Sequence, residues 1–485
     1  MCAAADHMGK RRKSKKTRGE QLAVSSDAAK KPWPQLAVIC LGAFLFFNSF
    51  GSLNVALPNI QAEFDSSLAA VQWVSMMGLV MLSSLSFCFG RAGDLLGQRT
   101  LYRAGVVLYA GGAGLAALSG AFWQLLLFRA VMSVGLAMAL PMSAAILATI
   151  YPPERRGRAL GLFASAVAVG RATGPTVGGF LLHLSSWRAV FLINCVIGIA
   201  VCAAVFSVFT GRDERKHGTF DYPGAFALMV GYPALLIALS IGASAGWSSP
   251  RTLIWLALAC AGLAAFFFIE RFTANPLIER ALFKSRPLAA ALVSLAAASA
   301  AYAPINLSAP MFMQKALGLA PLAIGFVMAA LPVCTAFASP LSGALADRFE
   351  PRSLAAVGVA LILTGIVVYA FLGVDATALS VAVALVLIGG GTGFFIPANQ
   401  KAAFAAAPSE DYGVLSAMLS SIGTAASTLG TTVAVALIET GMAAHGDFSP
   451  HAFAAGQSFA FAMMIPLAAL AFASALVGRR LVRRS

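Results

Sequence analysis

Charge is what this chain has least of. Of its 485 residues only 11% are charged, 59% are hydrophobic, and the mean hydropathy is +0.83. An ordinary soluble surface needs about a quarter charged residues, so a soluble globular protein is excluded. Acid is the scarcer sign, with 19 Asp and Glu against 34 Lys and Arg. None of those acids lies in the middle of an apolar stretch, and Glu439 alone sits at the end of one. Paired carboxylates, Ser–His pairs and metal-ligand clusters inside apolar segments are all missing, which leaves an intramembrane enzyme without machinery. The seven cysteines (Cys2, Cys40, Cys88, Cys195, Cys202, Cys260 and Cys334) form no C-x-x-C pair, so neither a disulfide framework nor a zinc site is supported. His445 and His451 share one loop that could hold a metal, but a solvated loop explains them more simply. The glycine run Gly389–Gly393 lacks the G-K-[ST] ending of a phosphate loop and sits within an apolar stretch, where it serves helix packing. No catalytic residue, metal or cofactor is expected.

What is present in abundance is apolar length. Windows of about 20 apolar residues recur from Leu36 to Val477 and read as fourteen transmembrane helices. The expected spans are Leu36–Leu57, Leu68–Phe89, Leu101–Leu118, Phe122–Ile150, Ala159–Leu182, Val190–Thr210, Tyr222–Ile241 and Leu253–Ile269, followed by Leu288–Met313, Pro321–Leu345, Leu354–Gly373, Ala378–Pro397, Val414–Ile438 and Ala454–Val477. The count is tested by charge. With a cytoplasmic amino terminus, the basic tail, the loops carrying Arg91, Arg99, Arg155, Arg156, Arg158, Arg348, Arg352 and Lys401, and the carboxyl tail all fall inside. Only Arg188, Arg251 and Lys315 fall outside, as the positive-inside rule requires. The net charge of +15 therefore reports topology and contact with anionic lipid. Without aromatic interleaving or a folded basic domain, the run KRRKSKK does not point to nucleic acid. The first 31 residues are expected to be disordered and are not a cleaved signal peptide.

An internal repeat organises the spans. The second ends in GRAGDLLGQR and the tenth in GALADRFEPR, both reading G-x3-D-x4-R: Gly90, Asp94 and Arg99 in one copy, Gly343, Asp347 and Arg352 in the other. The copies occupy the same slot of two six-span blocks if the seventh and eighth spans are an insertion. Residues 1–33 are then a basic tail, 34–210 one half, 211–285 the insertion, 286–478 the second half and 479–485 a second basic tail. Repeated halves with a substrate site between them near the midplane are how many transporters are built. The glycine permits close helix contact, and Asp and Arg can pair or cap helix ends at the inside face. Gly97 lies in the same loop. Such a latch would break and re-form as the halves rock.

The fifth span carries GLFASAVAVGRATGPTVGG, with Gly161, Gly170, Gly174, Pro175, Gly178 and Gly179 in the register G-x8-G-x3-GP-x2-GG. In a soluble helix each interior glycine would cost about 1 kcal/mol and the proline about 3. In lipid they make a smooth, bendable contact surface. This stretch resembles the antiporter signature of the major facilitator superfamily. The G-x3-D-x4-R loops are similar to the same superfamily's loop motif, with Leu95 where that motif usually has arginine. NVALP at Asn54–Pro58, YPPERRGRALG at Tyr151–Gly161, WRAVFLIN at Trp187–Asn194, PLIERALF at Pro276–Phe283 and GLAPLAIG at Gly318–Gly325 are similar to its fourteen-helix drug–proton antiporter branch. The resemblance implies an all-α membrane fold of 6+2+6 helices around a central cavity. It further implies secondary active, proton-coupled export of amphipathic small molecules from a bacterial inner membrane, and a periplasmic adaptor is a partner known in the branch. A metabolite importer of the same fold is the alternative, and a non-transporting sensor or intramembrane enzyme the remote one.

Two departures stand out. Where the branch carries an aspartate in the first span, this chain has Ser49, and after Arg129 the usual glutamine and glycine are Met132 and Ser133. Ionisable groups at depth are instead Arg129 and Arg171, both positive. Arg171 lies about 20 Å up its helix from Arg158, too far to reach the inside surface. An arginine at that depth costs roughly 2.5–3.5 kcal/mol on insertion scales and needs compensation. It is either a tie to a neighbouring helix or a positive group facing the cavity. Asn48, Ser52 and Asn54 lie partly along one face of the first span; they line the pathway or hold helices together. Two deep arginines without a central carboxylate favour neutral or weakly acidic cargo, since a weak acid can carry the proton itself.

Overall fold

The computed structural model describes residues 32–66, 68–209, 220–273, 285–319, 321–443 and 449–482. The basic amino tail, the segment Pro276–Phe283 and His445 lie outside them. Among the described residues every regular element is helical: α1 Trp33–Phe64, α2 Leu68–Leu96, α3 Gln98–Ala117, α4 Phe122–Ile150, α5 Pro153–Leu184, α6 Trp187–Val208, α7 Tyr222–Ala245, α8 Pro250–Phe272, α9 Arg286–Tyr302, α10 Ile305–Lys315, α11 Pro321–Ala346, α12 Pro351–Ala370, α13 Ala378–Ala405, α14 Tyr412–Ala443 and α15 Pro450–Val482. Helix is the open-ended structure that satisfies its own backbone in lipid. The expected ninth span is interrupted: α9 and α10 meet at Ala303–Pro304, where the proline has no N–H to give. Counted as one crossing, the two leave fourteen. Among the described residues, eleven helices are apolar and long enough to cross a membrane.

The repeat is visible in the packing. Within the first block α1 packs on α5 and α6, α3 on α4 and α6, and α2 on α4. Within the second, α9 packs on α14 and α15, α12 on α13 and α15, and α11 on α13. Each pairing in one block has its counterpart in the other. The glycines at the crossings correspond too. A Cβ on Gly105 of α3 would lie 2.7 Å from the Gly135 carbonyl oxygen of α4, and one on Gly358 of α12 would lie 2.8 Å from that of Gly391 of α13. Crowding such a crossing costs about 1–3 kcal/mol. The run Gly389–Gly393 is thus helix interior, packed on α11 and α12. Helices α7 and α8 pack chiefly on each other, with α7 leaning on α2 and α14. The blocks meet chiefly through two equivalent pairs, α5 on α11 and α2 on α14, with α5 also touching α13 and α14 touching α4.

Candidate functional site: a reciprocal latch and the helix above it

Both repeated aspartates cap a helix of the opposite block. Asp94, near the end of α2, accepts the backbone N–H of Gly413 at 2.9 Å and of Val414 at 3.1 Å, at the start of α14. Asp347, just past α11, accepts those of Gly157 at 2.8 Å and Arg158 at 3.0 Å, at the start of α5. A helix start has unpaired N–H groups and partial positive charge, so a carboxylate there gains charge-assisted hydrogen bonds. Glycine makes the approach possible. A Cβ on Gly90 would lie 2.8 Å from the Gly413 carbonyl oxygen, and one on Gly157 would lie 2.5 Å from that of Gly343. Between the two caps Arg156 donates to the Tyr412 hydroxyl at 2.9 Å and lies over its ring. Each of these residues immediately precedes the glycine that its own helix start offers to a cap.

The third partner of each cap differs. Gln98 donates its amide to Asp94 at 3.1 Å, whereas the Lys401 ammonium pairs with Asp347 at 2.6 Å and also donates to the Ala346 carbonyl. Neither partner is singled out by the repeat pattern. Lys401 read only as one more positive charge on the basic face. Gly97 forms the α2–α3 corner with φ of 108°, where a side chain would be strained. Arg99 is half-buried on the first turn of α3, and Arg352 is buried at the start of α12.

The signature glycines of α5 divide between two neighbours. Gly161 faces Ser339 and Gly343 of α11, and Ser165 donates to the Ala336 carbonyl at 2.6 Å, so this end of α5 serves the contact between blocks. Gly170, Gly174 and Gly178 face Phe44, Asn48 and Ser52 of α1 instead. Gly179 has open space beside it, and Pro175 packs against Gly51. Along that upper seam Asn48 donates to Thr173 at 2.9 Å and Ser52 to the Gly174 carbonyl at 2.8 Å. Both side chains are buried, and their hydrogen bonds are spent on holding α1 to α5. Asn54 is exposed on α1, and Glu439 is exposed toward the far end of α14.

The two deep arginines differ sharply. Arg129 is 1% exposed. Its Nε donates to the Val74 carbonyl at 3.1 Å, a second nitrogen meets the Met132 sulfur, and the group lies 5.5 Å over the Phe50 ring. The remaining nitrogen is buried without a partner. Ser49 stands beside the Tyr109 hydroxyl, which donates to Asn194 at 3.2 Å. Arg171, by contrast, is exposed and makes no hydrogen bond or ion pair among the described residues; its guanidinium lies 4.7 Å over the Phe47 ring. Among the described residues its one such contact with a neighbouring helix is this ring of α1. At the other face Glu63 binds Trp187 at 2.5 Å and Arg188 at 2.6 Å, which fixes α1 to α6.

Two repeated helical blocks joined at one face by contacts that rocking must break define an alternating-access membrane transporter, not an enzyme. The chain belongs to the Major Facilitator Superfamily, whose model matches residues 39–431 and 288–484. It is 28% identical over 412 residues to the multidrug resistance protein Stp of Mycobacterium tuberculosis, covering 85% of this chain and 76% of that one. It is also 28% identical over 425 residues to the tetracenomycin C resistance and export protein of Streptomyces glaucescens, covering 87% and 78%. The crystal structure of the human organic anion transporter MFSD10 superposes with a TM-score of 0.66 at 15% identity, over 92% of this chain and 99% of that one, and shares the fold. The protein is accordingly a multi-pass secondary transporter of the drug-efflux type that moves a small molecule.

Proposed function

We propose that the protein exports amphipathic small molecules of neutral or weakly acidic character, coupled to protons, across a bacterial inner membrane with both termini in the cytoplasm. The observation that carries this reading is Arg171, exposed on α5 above the latch, without a hydrogen bond or ion pair among the described residues and with the Phe47 ring beneath it. A cation held beside an apolar ring attracts an amphipathic anion, and a weak acid brings its own proton. Residues 34–210 and 286–478 act as the two rocking units, with 211–285 inserted between them. The basic face is the cytoplasmic one, and the caps at Asp94 and Asp347 close it while the cavity is open to the outside. Export is supported by the drug-resistance names of the relatives.

The test is flux in proteoliposomes with an imposed pH gradient, comparing a weak acid, a neutral amphiphile and a lipophilic cation, with Arg171→Ala alongside. Weak-acid flux that follows the gradient and falls in the variant is expected. Cation flux as fast as weak-acid flux, and indifferent to Arg171→Ala, would overturn the charge preference.

A further inference from the structure

The two halves are not equally filled at the basic face. Three residues after Arg99 stands Tyr102, fully buried, its phenol oxygen 2.6 Å from where a Cβ on Gly42 would lie. Three residues after Arg352 stands Ala355. The second half accordingly has a small cleft where the first has a ring. It lies among the basic-face ends of α9, α12, α13 and α15, lined by Ala290, Ala291, Arg352, Ala355, Asn399, Ala402, Ser474 and Ala475. Arg352 is 6% exposed. Its guanidinium makes no hydrogen bond among the described residues, and one terminal nitrogen is buried without any partner. Ser474, half-buried on α15, lines the same cleft. Asn399 is occupied, donating to the Ala291 carbonyl at 3.1 Å.

Of the nearby acids, Asp347 is engaged elsewhere, while Glu350 acts on Arg352 by charge without a hydrogen bond to it. Asp347 is held by Gly157, Arg158 and Lys401, and Glu350 accepts from Ser353 at 3.0 Å. The buried terminal nitrogen of Arg352 still lacks a hydrogen-bond acceptor, and a buried donor left unmet is costly. A planar fork of N–H donors facing an otherwise alanine-walled cleft fits one ligand class above others, a phosphate oxyanion. The cleft has room for about one water-sized group, which is one phosphoryl oxygen with the rest of the phosphate at the mouth.

We infer that Arg352 and Ser474 form a phosphate-binding site on the basic face of the second half, in a cleft that exists because Ala355 replaces the ring found at the corresponding place in the first half. The phosphate belongs either to a phospholipid headgroup or to a soluble phosphate. Because the site stands at the start of α12, a few residues past Asp347, an occupant there braces the end of the latch that carries Lys401.

The full-length protein, purified and stripped of lipid, is examined with two probes: phosphatidylglycerol, followed by native mass spectrometry, and inorganic phosphate, followed by thermal stabilisation. Arg352→Gln removes the charge. Ala355→Tyr fills the cleft with a ring that the first half already accommodates, and circular dichroism and gel filtration establish that each variant is folded. Retention of one phosphatidylglycerol by the wild type, weakened about tenfold or more in both variants, supports the site with a lipid as its source. Saturable stabilisation by inorganic phosphate, lost in both folded variants, supports it with a soluble source. Failure of the wild type to bind either probe, or binding that a folded Ala355→Tyr leaves unchanged, overturns it.

Discussion

The two caps at the basic face share a backbone and differ in charge. At each, one aspartate accepts two backbone N–H groups from the first turns of a helix of the opposite block. Asp94 is backed by a neutral amide, Gln98, whereas Asp347 is backed by the ammonium of Lys401. Opening the first cap strands one buried carboxylate; opening the second leaves an ion pair that stays intact on its own block, since Lys401 and Asp347 both belong to the second half. The Asp347–Lys401 cap therefore exposes a pre-neutralised group, and the Asp94 cap exposes a carboxyl backed only by an amide. Repetition of the fold fixes where a latch forms, and the side chains around it set how each one opens.

The largest expected effect follows from breaking the ion pair from one side. Asp347→Ala leaves Lys401 buried without a carboxylate, a loss of about 3–5 kcal/mol. It should appear as a lower melting temperature of the purified protein, largely restored by adding Lys401→Met. Asp94→Asn strands no cation, so insertion and folding should survive. The cap weakens because its two hydrogen bonds lose their charge, worth about 1.5–3 kcal/mol each, and transport per inserted molecule should fall about tenfold or more. Gly174→Leu tests the seam above: its Cβ would meet the Asn48 carbonyl oxygen at 2.7 Å, for about 1–3 kcal/mol, and transport should be lost from protein that still reaches the membrane. The smallest effect belongs to Gln98→Ala, about 0.5–1.5 kcal/mol, read as a modest change in transport rate with an unchanged melt. An effect of Gln98→Ala as large as that of Asp347→Ala would erase the distinction between the caps.

Fourteen spans, their repeat and the positions of both capping aspartates were legible in the sequence because hydropathy, charge sidedness and a ten-residue motif are local signals. The targets of the caps were not. Gly413 and Val414 carry no side-chain signal for being capped, since what they offer is backbone N–H at a helix start. Lys401 lies far from Asp347 in sequence and meets it only through the packing of α13 on α11. The break at Pro304 was hidden within an unbroken apolar run. Both open alternatives for polar residues in the first span turned on orientation, which pattern does not give. Asn48 and Ser52 turn toward α5 and hydrogen-bond to it, while Arg171 of α5, an equally deep polar group, meets only the Phe47 ring of α1 at close range among the described residues.

The central claim is that Asp94 and Asp347 together hold the basic face closed. Its most direct test is the distance across that face, measured by pulsed electron paramagnetic resonance on protein in lipid nanodiscs. Spin labels would stand at exposed Leu96 and Glu410 for one cap and at exposed Arg155 and Arg348 for the other, with the native cysteines replaced. A short distance in most wild-type molecules that gives way to a longer one when Asp94→Asn and Asp347→Asn are combined is the predicted result. The same short distance with both carboxylates removed would contradict it.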